Sequence, residues 1–224
     1  MAYGPSEFAK DLNALDINVP RGTLDRLETY AALLTKWQAK INLVGPATLP
    51  DLWRRHFLDS AQLVLLLNCL PQARGGKSSV WGAGTLVDLG SGAGFPGLVL
   101  AIMTNWRVHL IDSDQRKCAF LRQAALDCGM LDRVTIHANR IEQVTGIAAD
   151  VVTARACAPL DELLGLAAPV VGEGGSCVFL KGAQAEEELT QAERHWTMRV
   201  EKRGSVSDPA GTILVITELR RKSQ

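Results

Sequence analysis

Apolar residues in the first third of the chain recur at three- and four-residue spacing: Leu24, Leu27, Ala31, Leu34 and Ile41 share one face, with Arg26, Glu28 and Lys40 toward water. That is the period of an amphipathic helix. A second such stretch runs from about Pro50 to Leu70, with Leu52, Phe57, Leu63 and Leu66 apolar. Pro71 and the cluster Gly75-Gly76-Lys77-Ser78-Ser79 then break the pattern. The spacing predicts an N-terminal helical extension over residues 1–75 and a second unit over residues 76–224, the two packed together as one body.

Beyond the cluster the period changes. Short apolar runs at Thr85 to Leu89, Val108 to Asp112, Val134 to His137, Asp150 to Ala154 and Ser176 to Leu180 alternate with helical segments. Such alternation predicts a parallel sheet wound on both faces. Between Asp114 and Cys128, the residues Cys118, Leu121, Ala125 and Cys128 make one apolar stripe, and Gly129 follows where a helix C-cap glycine belongs. A last strand, about Thr212 to Leu219, follows the turn Ser207-Asp208-Pro209-Ala210-Gly211 and pairs with a segment around Val200 as an antiparallel hairpin. The fold class is therefore α/β: a doubly wound, mostly parallel, seven-stranded sheet with a helical extension in front.

Composition narrows the class of function. Lys and Arg number 24 and Asp and Glu number 24, so no global field draws the chain to phosphate, and any nucleic-acid contact must come from local patches. The 5 cysteines contain no C-x-x-C pair, which argues against a disulfide framework and a zinc cluster; they read as reduced core residues, and no metal is expected. Met1 to Lys10 lacks a basic start followed by an apolar stretch, and the leucine run at Leu63 to Leu67 is too short to span a bilayer. A cytoplasmic protein without membrane association is the expectation.

The chemistry concentrates in Val87-Asp88-Leu89-Gly90-Ser91-Gly92-Ala93-Gly94-Phe95-Pro96-Gly97, which closes a predicted strand and opens a predicted helix. Glycines there let main chain approach a ligand closely. Gly92 to Gly97 also fits the dinucleotide fingerprint G-x-G-x-x-G, with Asp112 at the expected distance. The longer pattern, acidic-x-G-x-G-x-G, adds the Asp88 carboxylate, which would repel a pyrophosphate and favour a cationic ligand. S-adenosylmethionine has that character through its ammonium and sulfonium. Asp112, at the tip of the second strand, suits a ribose diol. The plainer alternative is that Asp88 and Asp112 are turn formers at strand ends and the glycines only make a tight turn.

The chain resembles the RsmG family, also called glucose-inhibited division protein B. The likeness rests on Lys36-Trp37 with Ile41-Asn42-Leu43, Arg55-His56-Phe57-Leu58-Asp59-Ser60, Val87 to Gly97, Ile111-Asp112-Ser113, Phe120-Leu121-Arg122-Gln123, Thr153-Ala154-Arg155-Ala156 and Leu180-Lys181-Gly182. The resemblance implies a Rossmann-like class I methyltransferase that uses S-adenosylmethionine to methylate N7 of a guanine in the decoding-region loop of bacterial 16S rRNA. It further implies that Gly90 and Phe95 line the cofactor turn, together with Gly92 and Gly94, that Ile141 and Glu142 meet the adenosine, and that Arg155 reaches the cofactor from the other side. Ala154 stands where many relatives have serine, and Asn139 before Arg140 is a second departure.

Candidate RNA contacts are Arg54, Arg55, His56, Arg122 and Lys181, with Arg220, Arg221 and Lys222; each is also readable as ordinary charged surface, and His56 as a structural side chain. The partner implied is 16S rRNA or an assembling small subunit, with the protein acting as a monomer. Guanine N7 carries a lone pair and no proton, so no catalytic base is assigned and positioning must dominate. Cys157 follows the fourth strand but lacks the Pro-Cys context of a nucleophile and reads as a small buried residue. A small-molecule methyltransferase and a non-catalytic cofactor-binding regulator are the alternative functions.

Overall fold

The computed structural model describes residues 3–70 and 84–223. The predicted boundary at residues 75 and 76 lies outside the described residues. Two helices, α1 (Pro5–Ala14) and α2 (Arg21–Gln38), open the chain. A run of mixed pitch follows: a 3-10 turn at Pro46–Asp51, a π-helical turn at Trp53–Leu58, α3 (Asp59–Ala61) and α4 (Leu63–Cys69). The single helix expected from Pro50 to Leu70 is thus several pieces. The first, Pro46–Asp51, contains Pro50, which has no N–H to give to a helical ladder.

The sheet then alternates β1 (Thr85–Leu89), α5 (Gly97–Met103), β2 (Arg107–Ile111), α6 (Gln115–Asp127), β3 (Val134–His137), a 3-10 turn at Ile141–Gln143, β4 (Ala149–Arg155), α7 (Leu160–Ala167), β5 (Val171–Lys181), α8 (Ala185–Ala192), β6 (Trp196–Gly204) and β7 (Thr212–Arg221). Its order is β3-β2-β1-β4-β5-β7-β6. Every pair is parallel except those made by β7, which runs antiparallel to both β5 and β6. The strand order reverses between β1 and β4, and the crevice outside the carboxyl ends at that point is where open α/β sheets hold ligands.

α6 starts where the Asp114 side chain accepts from the N–H groups of Arg116 and Lys117, and it ends before Gly129, whose φ is +66°. Its stripe of Cys118, Leu121, Ala125 and Cys128 is buried, as the spacing predicts. One core layer joins α2, α5 and α6 to the sheet and includes Phe8, Leu27, Tyr30 and Phe57 from the extension; the other joins α7 and α8 through Leu163, Leu164, Leu189 and Trp196.

Several aromatic residues gather at the seam between extension and sheet. Tyr30 lies 5.2 Å from Phe57, 5.3 Å from Phe95 and 6.2 Å from Phe120, ring centre to ring centre. Such pairs add about 0.5 to 1.5 kcal/mol each beyond the area they bury. The extension is therefore anchored on the residue that ends the glycine turn.

Candidate functional site

The turn after β1 is held from beneath and from one side. Ser91 donates through its backbone N–H to the Ile111 carbonyl at 2.9 Å and through its hydroxyl to the Asp88 carbonyl at 2.9 Å. The Gly92 N–H donates to Asp112 Oδ2 at 2.8 Å, while Asp112 Oδ1 accepts from the Asp114 N–H at 2.8 Å. Two glycines of the turn are needed for different reasons. At Gly90, φ is +61° and a Cβ would fall 2.5 Å from Cys157 Sγ, so the loop after β4 packs directly on its backbone. At Gly92, φ is +56° and a Cβ would meet only the Gly90 carbonyl, at 3.8 Å. The space above Gly92 is open, and it is where ligand atoms would touch main chain.

Next to the turn lies a cavity of about 580 Å³. Gly90, Gly92 and Phe95 line one side; the π-helical turn, Asp59 and the loop between β6 and β7 close the other. Arg155, at the end of β4, crosses it. Its guanidinium sits 5.0 Å over the Phe95 ring and donates to His56 Nδ1 at 2.7 Å and to the Arg55 carbonyl at 3.1 Å, with Asp59 Oδ2 at 3.5 Å. Because arginine only donates, Nδ1 of His56 must accept, so its proton is on Nε2, which donates to Thr48 Oγ1 at 2.7 Å. Burial, then the charges of Arg155 and Arg55, push the His56 pKa down to about 3. This histidine stays neutral.

Asp88 is wholly buried under the turn. Its Oδ1 accepts from Thr153 Oγ1 at 2.7 Å, while Oδ2 has no hydrogen-bond partner among the described residues. Burial raises its pKa to about 6, opposed by hydrogen bonds from Thr153 and Ser91. Cys157 also has its thiol pKa raised, by burial first and then by Asp88 and Asp112. The prevailing form of this sulfur is the unreactive thiol.

The sequence profile of a family described as GidB, rRNA small subunit methyltransferase G, matches residues 23–212. The chain belongs to this family. A ribosomal RNA small subunit methyltransferase G from Paramagnetospirillum magneticum is 54% identical over 203 residues, 91% of this chain and 92% of the relative. The protein of the same name in Rhodospirillum rubrum is 50% identical over 208 residues, 93% of this chain and 96% of the relative. Among solved structures, a methyltransferase from Geobacter sulfurreducens matches with a TM-score of 0.57 at 17% identity, over 93% of this chain and 95% of that one. TYW2 of P. horikoshii, crystallised in complex with MeSAdo, matches with a TM-score of 0.52 at 16% identity, over 83% of this chain and 66% of that one. At those identities the likeness is one of fold.

For this family member the structure sorts the candidates unevenly. Gly90, Gly92, Phe95 and Arg155 come together at the cavity with Arg55, His56 and Lys181. Asp88, expected beside the ligand, is instead beneath the turn, because a strand-end side chain pointing into the core cannot also reach over the loop. A Cβ on Gly94 would lie 2.8 Å from Tyr30 Oη, and the Tyr30 hydroxyl donates to the neighbouring Ala93 carbonyl; Gly94 thus meets the extension, not the cavity. Asp112, Ile141 and Glu142 lie outside the cavity, at the ends of β2 and β3, with Glu142 exposed.

The basic candidates divide too. Lys181 Nζ is 2.6 Å from Glu188 and donates to the Ala158 carbonyl at 2.7 Å, so its charge is spent inside the protein. Arg55 pairs with Asp208 at 2.8 Å. Arg54 is exposed over the Tyr3 ring, and Arg122 is exposed on α6. Arg220, Arg221 and Lys222 sit at the opposite end of the strands: β7 runs antiparallel from Thr212, beside the cavity, and its 8 steps to Arg220 span roughly 26 Å. Cys69 is exposed and not a core residue. Ser205, Ser207 and Tyr30 carry no sequence signal as site residues, since they reach the site only through contacts between distant segments; Asp59 stands in the Arg55–Ser60 motif without an assigned role, and Thr48 meets His56 within the same stretch of chain.

Proposed function

We propose that this chain transfers the methyl group of S-adenosylmethionine to N7 of a guanine in the decoding-region loop of 16S rRNA, presented as RNA or within an assembling small ribosomal subunit. The observation that carries this reading is the glycine turn at the strand-order reversal, with open space over Gly92, in a chain that relatives named for small-subunit rRNA methylation match over nine-tenths of its length. The donor set fits the cofactor. The main chain at Gly92 offers close approach, Asp112, which accepts from the Gly92 N–H, is the candidate for a ribose, and the turn at Ile141–Gln143 beyond β3 is the candidate for the adenine. Asp88 acts through its field: a buried carboxylate with one unpartnered oxygen favours a cation bound above the turn.

Bound over the glycine turn, S-adenosylmethionine would supply a methyl group activated by its sulfonium, and because guanine N7 offers a lone pair and carries no proton, the protein would need no base. The protein's part is to hold the two partners in line and exclude water, which can contribute about 7 to 11 kcal/mol. Arg155, fixed by His56, Arg55 and Phe95, forms the wall between the cofactor turn and the rest of the cavity. Among the described residues no group of metal ligands occurs and no helix is long and apolar enough to cross a membrane. We infer further that the protein works as a cytoplasmic monomer, with residues 1–75 and 76–224 acting as one unit. The test is transfer of labelled methyl groups to small-subunit RNA from cells lacking the protein. Borohydride and aniline scission at one guanine supports the reading; label on cytosine C5 or an exocyclic amine refutes it.

A further inference from the structure

The cavity contains three ion pairs that differ in how tightly they are closed. Lys181 with Glu188 and Arg55 with Asp208 are in direct contact at 2.6 and 2.8 Å, and Glu188 Oε2 also accepts from the Leu160 N–H at 2.7 Å. Asp59 and Arg155 stand 3.5 Å apart. The two oxygens of Asp59 are unlike each other. Oδ1 accepts from Ser207 Oγ at 2.6 Å, Gln62 Nε2 at 3.1 Å and Ser205 Oγ at 3.2 Å, which ties α3 to the loop between β6 and β7. Among the described residues Oδ2 meets only Arg155. The guanidinium in turn has N–H donors beyond those given to His56 and Arg55.

We propose that Asp59 and Arg155 form the edge of the cavity that reads the target guanine: Asp59 Oδ2 accepts from N1–H, Arg155 donates to O6, and N7 is left toward the cofactor turn. This rests on the functional reading above. An acceptor beside a donor is the complement of guanine, which presents N1–H beside O6; adenine presents the reverse, an acceptor at N1 beside the N6 amine, and would set like against like. The cavity volume of about 580 Å³ is in the range of small-ligand sites. N7 methylation leaves a cationic ring, and a carboxylate already aimed at that ring meets the developing charge without rearranging. The edge is shared between the two parts of the fold: Asp59 comes from α3 and is tied to the loop between β6 and β7, while Arg155 comes from the end of β4 and is held by His56 and Arg55 of the π-helical turn.

The experiment uses the intact protein and small-subunit particles reconstituted with guanine, inosine or 2-aminopurine at the target position. Inosine keeps N1–H and O6 and lacks only the N2 amine; 2-aminopurine lacks both contacts. Wild type should methylate inosine within a few-fold of guanine and disfavour 2-aminopurine by about ten- to a hundredfold in kcat/KM. Asp59→Asn should lower kcat/KM for guanine by a similar factor and collapse that preference, with S-adenosylmethionine affinity by calorimetry changed less than about twofold. Ser205→Ala with Ser207→Ala, which loosens the loop and leaves Oδ2, should keep the preference. A wild type that accepts 2-aminopurine as well as guanine overturns the inference even if Asp59→Asn does not fold. So does an Asp59→Asn protein with the preference intact, or one whose cofactor affinity falls as far as its activity. A wild type that places no methyl on guanine N7 refutes the functional reading itself.

Discussion

Two glycines two residues apart should fail in opposite ways when given a methyl group. At Gly90 an alanine would hold a left-handed φ of +61° and drive its Cβ to 2.5 Å from Cys157 Sγ and 3.2 Å from Cys157 Cβ. The backbone term costs about 1 to 2 kcal/mol, and overpacking about 1 to 3 more. Gly90→Ala should therefore lose roughly 2 to 5 kcal/mol, a fall in melting temperature of at least about 4 °C for a chain of this size. Cys157→Ala removes the sulfur and should recover about 1 kcal/mol or more of that loss in the double variant. At Gly92 the φ of +56° carries the same backbone cost, but the nearest atom to a Cβ is 3.8 Å away. Gly92→Ala should lose only about 1 to 2 kcal/mol yet bind S-adenosylmethionine much more weakly, because the methyl takes the space left for ligand. Calorimetric melting and titration of the cofactor-free proteins separate the two. A Gly92→Ala protein of unchanged cofactor affinity, or a Gly90→Ala loss indifferent to Cys157, would refute this account of the turn.

Asp112→Ala removes the acceptor for the Gly92 and Asp114 N–H groups, so titration should show weaker cofactor binding and melting should show a stability loss of about 1 to 3 kcal/mol. His56 titrates near 6.5 when unfolded and at about 3 when folded, so its neutral form favours the native state above about pH 6.5 and stability falls as pH drops toward 3. Urea melts of His56→Gln should show a shallower loss over that interval; an identical slope would remove His56 as its cause. Cys157→Ala alone should keep a measurable single-turnover rate, since its thiol is protonated and no covalent intermediate forms; a folded, cofactor-binding variant without activity would contradict that.

Much of this molecule is readable from local pattern. A change of hydrophobic period from helical spacing to short runs marks where sheet replaces extension, and the five parallel strands lie where those runs place them, because a strand covered on both faces needs a continuous apolar run; the β6–β7 hairpin is marked instead by its turn residues. The glycine turn is equally local: its residues are contiguous, and their conformations follow from having no side chain. What local pattern could not decide was direction. Asp88 reads as a ligand-facing carboxylate in a motif, but only the packing of Gly97, Leu110 and Thr153 around it decides that it points down into the core. The sites of Arg220 to Lys222 depend on β7 running against the other strands, a matter of sheet topology. The Arg155–His56 contact and the Asp59 contacts with Ser205 and Ser207 join segments about 100 to 150 residues apart, as the separations of 99, 146 and 148 show. Side chains that distant have no shared period or spacing to betray them. Their meeting is decided by how the helical extension docks on the sheet, through an aromatic seam whose members are ordinary core residues when read one at a time.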